Sequence, residues 1–312
     1  MIAVAGEALI DLVVGNGGQV DARPGGGPYN AARTLARLGV GATFLGRLGG
    51  DGFGRLLRAR LTDEGVALSL SEASAGPSTL AVATLDAAGS ASYSFYLDGT
   101  AAADVTFPDL SRAVQALEGV TALHVGTLGL LMEPVGAAIE RLVLTAVPQG
   151  ALVFLDPNCR PGAVPDADAY RARISAIAGR ADIVKASTED LTYLYPGVPP
   201  EAAAKTLLAA GTPLVLVTDG PHPARAFVAD QVLSADAPAI TVADTIGAGD
   251  AFGGGFLAWW ITHDLGRDEL SNPGLVDRAL RAAAATAALT CTRPGADPPT
   301  LAELQSRDWW PA

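Results

Sequence analysis

The chain has 312 residues, 49% hydrophobic and only 17% charged, enough to bury one large core or two smaller ones, which excludes the disordered class. A formal net charge of −12 leaves no basic footprint for nucleic acid or an anionic membrane surface, although a few backbone N–H groups still hold a phosphate locally. With only Cys159 and Cys291, no apolar run near the ~18 residues of a membrane span and no basic stretch before Asp11, the expectation is a soluble, cytoplasmic protein without a disulfide framework.

Taken in chain order, short β-rich runs alternate with helical patterns, which predicts βα units and a largely parallel sheet. Residues 2–5, 42–45, 152–155, 182–184 and 214–217 read as strands. After the first comes a helix in which Pro28 suits the first turn, Leu35 and Leu38 share a face and Gly39 closes the C-terminus. Further helices are expected over 53–64, ending at Gly65, over 201–210, ending at Gly211, and over the Ala-rich stretch 279–290. One region breaks the rhythm: 78–86 and 90–97 read as two strands joined by the turn 87–89. In the second, Ser92, Ser94 and Tyr96 alternate with Tyr93, Phe95 and Leu97, the period of a half-exposed strand. Such a hairpin is either a small separate sheet, able to act as a lid, or an antiparallel edge on the main sheet. His124, ending an apolar run, reads as a buried strand residue, and with His222 and His263 it shares no metal-ligand spacing.

Two Gly-rich turns carry the chemistry. Asp244-Thr245-Ile246-Gly247-Ala248-Gly249-Asp250 precedes an apolar helix over 252–261. A glycine turn opening a helix aims N–H groups and the positive dipole end at one point, which makes an anion hole. Asp250 at that point is either a base that takes a proton from an attacking hydroxyl or a helix cap. Capping leaves Gly253, Gly254 and Gly255 unexplained: each glycine inside a helix costs roughly 0.5–1 kcal/mol against Ala, so packing or a ligand must require them. The second turn, Pro24-Gly25-Gly26-Gly27-Pro28-Tyr29-Asn30, has Asn30 where a dinucleotide fingerprint needs its third glycine, and neither Lys185 nor Lys205 follows a glycine as a P-loop requires.

Together the two segments resemble the two signature motifs of the PfkB carbohydrate kinases, the ribokinase-like sugar kinases. Gly6-Glu7-Ala8-Leu9-Ile10-Asp11, Gly50-Asp51-Gly52-Phe53-Gly54, Asp156-Pro157-Asn158-Cys159-Arg160, Thr218-Asp219-Gly220 and Cys291-Thr292-Arg293-Pro294-Gly295-Ala296 agree with that family in order and spacing over nearly the whole chain. The stretch from Phe95 to Ala101, with Asp156 to Arg160, is similar to bacterial fructokinases and 2-keto-3-deoxygluconate kinases. The resemblance implies an α/β, ribokinase-like fold over residues 1–312, with a mainly parallel central sheet flanked by helices and a small β-sheet lid from segments near 12–24 and 78–100. It implies an ATP-dependent kinase that works with Mg2+, and with K+ as a further cofactor, and phosphorylates a hydroxyl of a ketose. Asp250 would be the catalytic base, and the N–H groups of Gly247, Ala248 and Gly249 would hold the charge developing on the phosphoryl group. Asp11, Gly26, Gly27, Asn30, Tyr96 and Arg160 fall at the sugar; Lys185, Ser187, Asp190, Thr218, Gly220 and again Gly249 fall on the nucleotide side. Main-chain oxygens of Asp244, Ile246, Thr290, Arg293 and Gly295 would hold K+. The expected partners are a small-molecule sugar, ATP and a second copy of the chain docked through the lid, with neither nucleic acid nor membrane.

The chain also departs from the family. Ser187 and Asp190 stand where the family carries Asn-x-x-Glu, which shortens the reach toward magnesium-bound water and phosphate. Pro221-His222-Pro223 interrupts the Thr-x-Gly-x-x-Gly pattern on the nucleotide side, and Pro299 stands at the side-chain ligand position of the K+ site without a side-chain oxygen. Fructose is expected rather than 2-keto-3-deoxygluconate, because a buried sugar-acid carboxylate needs a cation to offset desolvation, and only Arg160 or Arg23 is placed to supply one. The alternatives are ribose or a nucleoside within the kinase class and, outside it, a non-catalytic sugar- or nucleotide-sensing protein.

Overall fold

The computed structural model describes residues 1–15, 17–85 and 91–312; the turn expected at 87–89 lies outside them. The first strand, Ile2–Ala5 (β1), is apolar throughout because both of its faces are covered: Ile2 and Val4 enter one core, Ala3 and Ala5 the other. Leu9–Val14 (β2) and Val20–Gly25 (β3) follow, then Ala42–Phe44 (β4), Ala67–Leu68 (β5), Thr79–Leu85 (β6) and Ala91–Tyr96 (β7). The second half adds Ala122–Gly126 (β8), Leu152–Asp156 (β9), Ile183–Ser187 (β10), Leu214–Asp219 (β11), His222–Val228 (β12) and Gln231–Ala235 (β13).

Nine strands form the main sheet in the order β13-β12-β11-β10-β9-β8-β1-β4-β5, parallel from β5 to β11 and antiparallel at β12 and β13. Helices Gly27–Arg37, Gly52–Asp63, Ala248–Thr262 and Pro273–Thr290 cover one face; Phe107–Gln115, Val135–Thr145, Ala167–Ala178 and Pro200–Ala209 cover the other. Gly39, at φ +81°, closes the first helix as its position predicts. The glycines inside Ala248–Thr262 have a packing reason. A Cβ on Gly253, Gly254 or Gly255 would meet Phe154 at 3.2 Å, Thr34 at 2.7 Å or Thr286 at 2.6 Å, so this helix sits closer to its two helical neighbours than a side chain allows and tight against β9. Trp259 and Trp260 are fully buried core residues of the same helix.

The hairpin is not an edge of the main sheet. It belongs to a separate four-stranded sheet, β3-β2-β6-β7, in which β2 pairs antiparallel with β3 and parallel with β6, and β6 pairs antiparallel with β7. In the main sheet, β1 lies where the strand order reverses, with β4 and β5 on one side and β8 onward on the other. The crevice outside the carboxyl ends of strands at such a point is where open α/β sheets bind ligands. Among the described residues no helix is long and apolar enough to cross a membrane.

Candidate active site

The residues that follow β1, β8 and β9, together with one face of the small sheet, enclose a cavity of about 740 Å³. Registration of the small sheet places Asp11, Ala81 and Phe95 in one row and Val13, Ala83 and Tyr93 in the next, and all six line the cavity. Tyr96, expected at the sugar, has the opposite parity on β7; it points away from the cavity and is 59% exposed, and Tyr93 and Phe95 take the inner wall instead. The alanines at 81 and 83 leave the space that larger side chains would fill.

Asp250 stands in the first turn of Ala248–Thr262, and the helix cap is Gly247, so the carboxylate is not the cap. Its Oδ2 accepts from Asn30 Nδ2 at 2.9 Å and its Oδ1 from Asn158 Nδ2 at 3.5 Å. Burial pushes the Asp250 carboxyl above the usual carboxylate range, against the pull of the Asn30 hydrogen bond and of Lys185 and Arg160. A base is most effective when its pKa approaches the working pH, so the shift is in the useful direction. Gly247 (φ +76°) and Gly249 line the cavity beside it, whereas the Ala248 N–H is tied into the turn by Thr245 O at 3.2 Å. Of the three N–H groups expected to meet a phosphoryl group, two therefore belong to cavity-lining residues.

Gly26, Gly27 and Asn30 lie on the same wall. Asp11 is pushed up to about 6 by burial and by the Asp250 charge, with Arg160 and Arg23 pulling it down. Arg160 also lines the cavity, and its Nη1 donates to Asn158 Oδ1 at 2.7 Å and to the carbonyls of Asn158 and Cys159. Asn158 carries a left-handed backbone (φ +39°), as does the β-branched Thr127 (φ +59°) across the cavity beside Gly27. Strain of this kind concentrates at functional sites.

Glu7, within the first motif, has a role that its sequence position does not reveal. It is fully buried, and its two oxygens accept from Gly27 N–H at 3.0 Å and Gly129 N–H at 2.7 Å, which ties the second glycine turn to the loop after β8. Burial pushes it up to about 8. Glu7→Gln puts an amide NH2 against one of those two N–H donors. Unfolding in urea at pH 9, where the wild-type carboxyl is ionised, should show a loss of about 1–3 kcal/mol, the cost of one unsatisfied buried donor; unchanged stability would mean that the carboxylate does not hold these loops.

The residues expected on the nucleotide side divide. Thr218 and Gly220 sit at the carboxyl end of β11, beside Ser187 at the end of β10, outside the cavity. Ser187 and Asp190 form a capping box, and the Asp190 carboxylate is already occupied: Oδ2 accepts from Ser187 N–H at 2.8 Å and Oδ1 from Cys159 N–H at 2.7 Å. Lys185 is sealed in the interior, donating to Asp156 Oδ2 at 2.8 Å, and does not reach the surface as a nucleotide contact would. The two loops expected at K+ are joined: Asp244 Oδ2 accepts from Gly295 N–H at 2.8 Å, and the Ala243 N–H donates to Cys291 O at 2.8 Å. His124 is buried on β8, its ring 5.2 Å from that of Phe154, and burial pushes it down to about 3, the state of a neutral core residue.

The family model described as pfkB family carbohydrate kinase matches residues 1–303. A fructokinase of Rhizobium leguminosarum bv. trifolii is 36% identical over 262 residues, covering 83% of this chain and 79% of its own. The solved structure of the fructokinase of Xylella fastidiosa with bound ATP superposes with a TM-score of 0.86 at 28% identity, over 98% of each chain. A double mutant of the fructokinase of Vibrio cholerae O395, in a form with fructose, ADP and potassium ion bound, gives a TM-score of 0.86 and 28% identity over 98% of this chain and 97% of that one.

Proposed function

Because the chain belongs to the pfkB family of carbohydrate kinases, we propose that it is an ATP-dependent fructokinase that passes the γ-phosphate to a hydroxyl of fructose with Asp250 as the base. One observation carries this reading: a buried carboxylate, donated to by Asn30 and Asn158, stands in the first turn of a helix whose opening glycines line the same cavity. A sugar hydroxyl next to Asp250 gives its proton to the carboxylate as its oxygen attacks phosphorus. The N–H groups at the helix start then face the negative charge spread over the phosphoryl oxygens, and fixed donors of this kind act without reorganising. Asp11 accepts from other hydroxyls of the sugar, and Phe95 and Tyr93 cover it from the small sheet.

The charge in the cavity favours a neutral sugar. Asp11 and Asp250 face it, against Arg160, part of whose guanidinium is committed to Asn158 and Cys159. A second carboxylate carried by the substrate would add to that repulsion. An ATP-consumption panel over fructose, 2-keto-3-deoxygluconate, ribose and adenosine should give fructose the highest kcat/KM. A higher value for the sugar acid would make Arg160 a carboxylate clamp, and no turnover with ATP binding intact would favour a sensing protein.

The small sheet acts as the lid. Addition of fructose should slow amide exchange in Ala91–Tyr96 more than in Leu214–Asp219 of the main sheet; equal protection of the two would contradict closure over the sugar. A second copy of the chain would dock on the outer face of this sheet, where Val20 and Tyr96 are each 59% exposed. Mg2+ is usually held by substrate phosphates with one or two carboxylates, and the committed oxygens of Asp190 do not fit that role. For K+, the joined loops bearing Asp244, Ile246, Thr290, Arg293 and Gly295 bring candidate carbonyl ligands together, and Pro299 adds no side-chain oxygen.

A further inference from the structure

Directly behind the helix start lies a buried cation that touches neither the sugar nor the phosphoryl group. Lys185 rises from β10 with its side chain 3% exposed, and the Asp156 carboxylate that holds it is 2% exposed. A Cβ on Gly249 would stand 3.0 Å from Lys185 Nζ. Gly249 is helical, so the turn itself does not call for glycine there; a larger residue would push the ammonium away from the helix start. Stability alone is a weak reason for this arrangement, since a buried ion pair often does no better than an apolar pair of the same volume. Asp156 Oδ1 has no hydrogen-bond partner, so the pair is also incomplete as a structural network.

Its surroundings give it a use. Asp250 is faced by the cations Lys185 and Arg160 on one side and by the carboxyl groups of Glu7, Asp11 and Asp156 on the other, all three pushed up by burial. Asp156, Asp190 and Asp250 all hold Lys185 in its charged form, and that charge helps keep buried His124 neutral. Burial alone would leave Asp250 protonated and unable to accept a proton. We propose that Lys185 is a positioning residue for phosphoryl transfer: its ammonium, locked by Asp156 against Gly249, is the internal cation that holds Asp250 ionised as the base. This rests on the kinase reading and on Asp250 as its base.

The test compares Asp156→Asn with the double variant Asp156→Asn/Lys185→Met. The two differ only in the lysine charge, and the double variant leaves no uncompensated carboxylate at 156. Sugar-phosphate formation is followed against pH for both and for the wild-type protein. Asp156→Asn removes a carboxylate that raises Asp250, so its acidic limb of kcat should move down from that of the wild type. Removing the lysine charge as well should move the limb up by about one pH unit or more relative to Asp156→Asn, which is about tenfold in kcat on the limb itself. KM for ATP and for fructose should stay within about threefold, because Lys185 touches neither. Superimposable pH profiles of the two variants, or a large rise in KM for ATP with the limb unmoved, would overturn the proposal. Should the double variant fail to fold, Asp156→Asn/Lys185→Gln takes its place, and a limb superimposable on that of Asp156→Asn overturns the proposal as well. A wild-type protein that forms no sugar phosphate contradicts the kinase reading and the proposal together, whereas wild-type turnover with unmoved limbs contradicts the proposal alone.

Discussion

Asp250→Asn should lower kcat by about 10²–10⁴-fold, the usual contribution of a general base, while KM for fructose and ATP changes little. The asparagine keeps the shape of the side chain and a carbonyl oxygen for the Asn30 amide, so the cavity keeps its form and only the proton acceptor is lost. The pH dependence follows from the same group. Burial raises the Asp250 carboxyl, so kcat of the wild-type protein falls as pH drops through a limb above the ordinary carboxylate range near ~4, and the variant loses that limb. Stability moves the other way. Between the ordinary and the raised values the native state binds more protons than the unfolded chain, so the ionised carboxylate costs stability as pH rises through that window. The variant should therefore melt no lower than the wild-type protein at pH 8. Turnover within a few-fold of wild type would remove Asp250 from the role of base.

Gly247→Ala is expected to have the second largest effect. Gly247 caps the helix at φ +76°, where an alanine is strained by roughly 1–2 kcal/mol, and its new Cβ would stand 2.5 Å from Ala296 Cβ and 3.0 Å from Ala296 Cα. The turn has to move to relieve that contact, and it carries the N–H groups of residues 247 and 249 with it. Removing one preorganised donor from a site of this type costs about 10²–10³-fold in kcat, so a loss of that size is expected with ATP and sugar still bound. Circular dichroism checks that the variant is folded. A folded variant with wild-type kcat would show that these N–H groups do not meet the transferring phosphoryl group.

Asp250, Asn30 and the glycine turns were legible because their chemistry is local: a glycine turn, a helix start and a carboxylate occur together within seven positions of the chain. Glu7 was not, since its meaning lies in N–H donors 20 and 122 residues away. The alternation on β7 correctly separated Tyr93 and Phe95 from Tyr96, but which parity meets the cavity depends on the pairing of β7 with β6 and of β6 with β2. The strand β2 reads poorly from its sequence because Asp11, on the cavity wall, interrupts an otherwise apolar run. The strand β12 was not read from the sequence, and its Pro223 lies where β12 has not yet begun its pairing with β13, which starts at Ala224. Lys185 was placed at the nucleotide by its position in the motif; its burial against Asp156 depends on the neighbouring strand, which no spacing within the motif reveals.

The most direct measurement is a phosphorus-31 spectrum of the wild-type protein incubated with fructose and excess Mg-ATP. Equal gains of ADP and of a single fructose phosphate monoester are expected, with no inorganic phosphate. ADP appearing with inorganic phosphate in place of the ester would mean that water takes the phosphoryl group, and an unchanged ATP spectrum would mean that no transfer occurs; either result contradicts a base at Asp250 serving a sugar hydroxyl in a closed cavity.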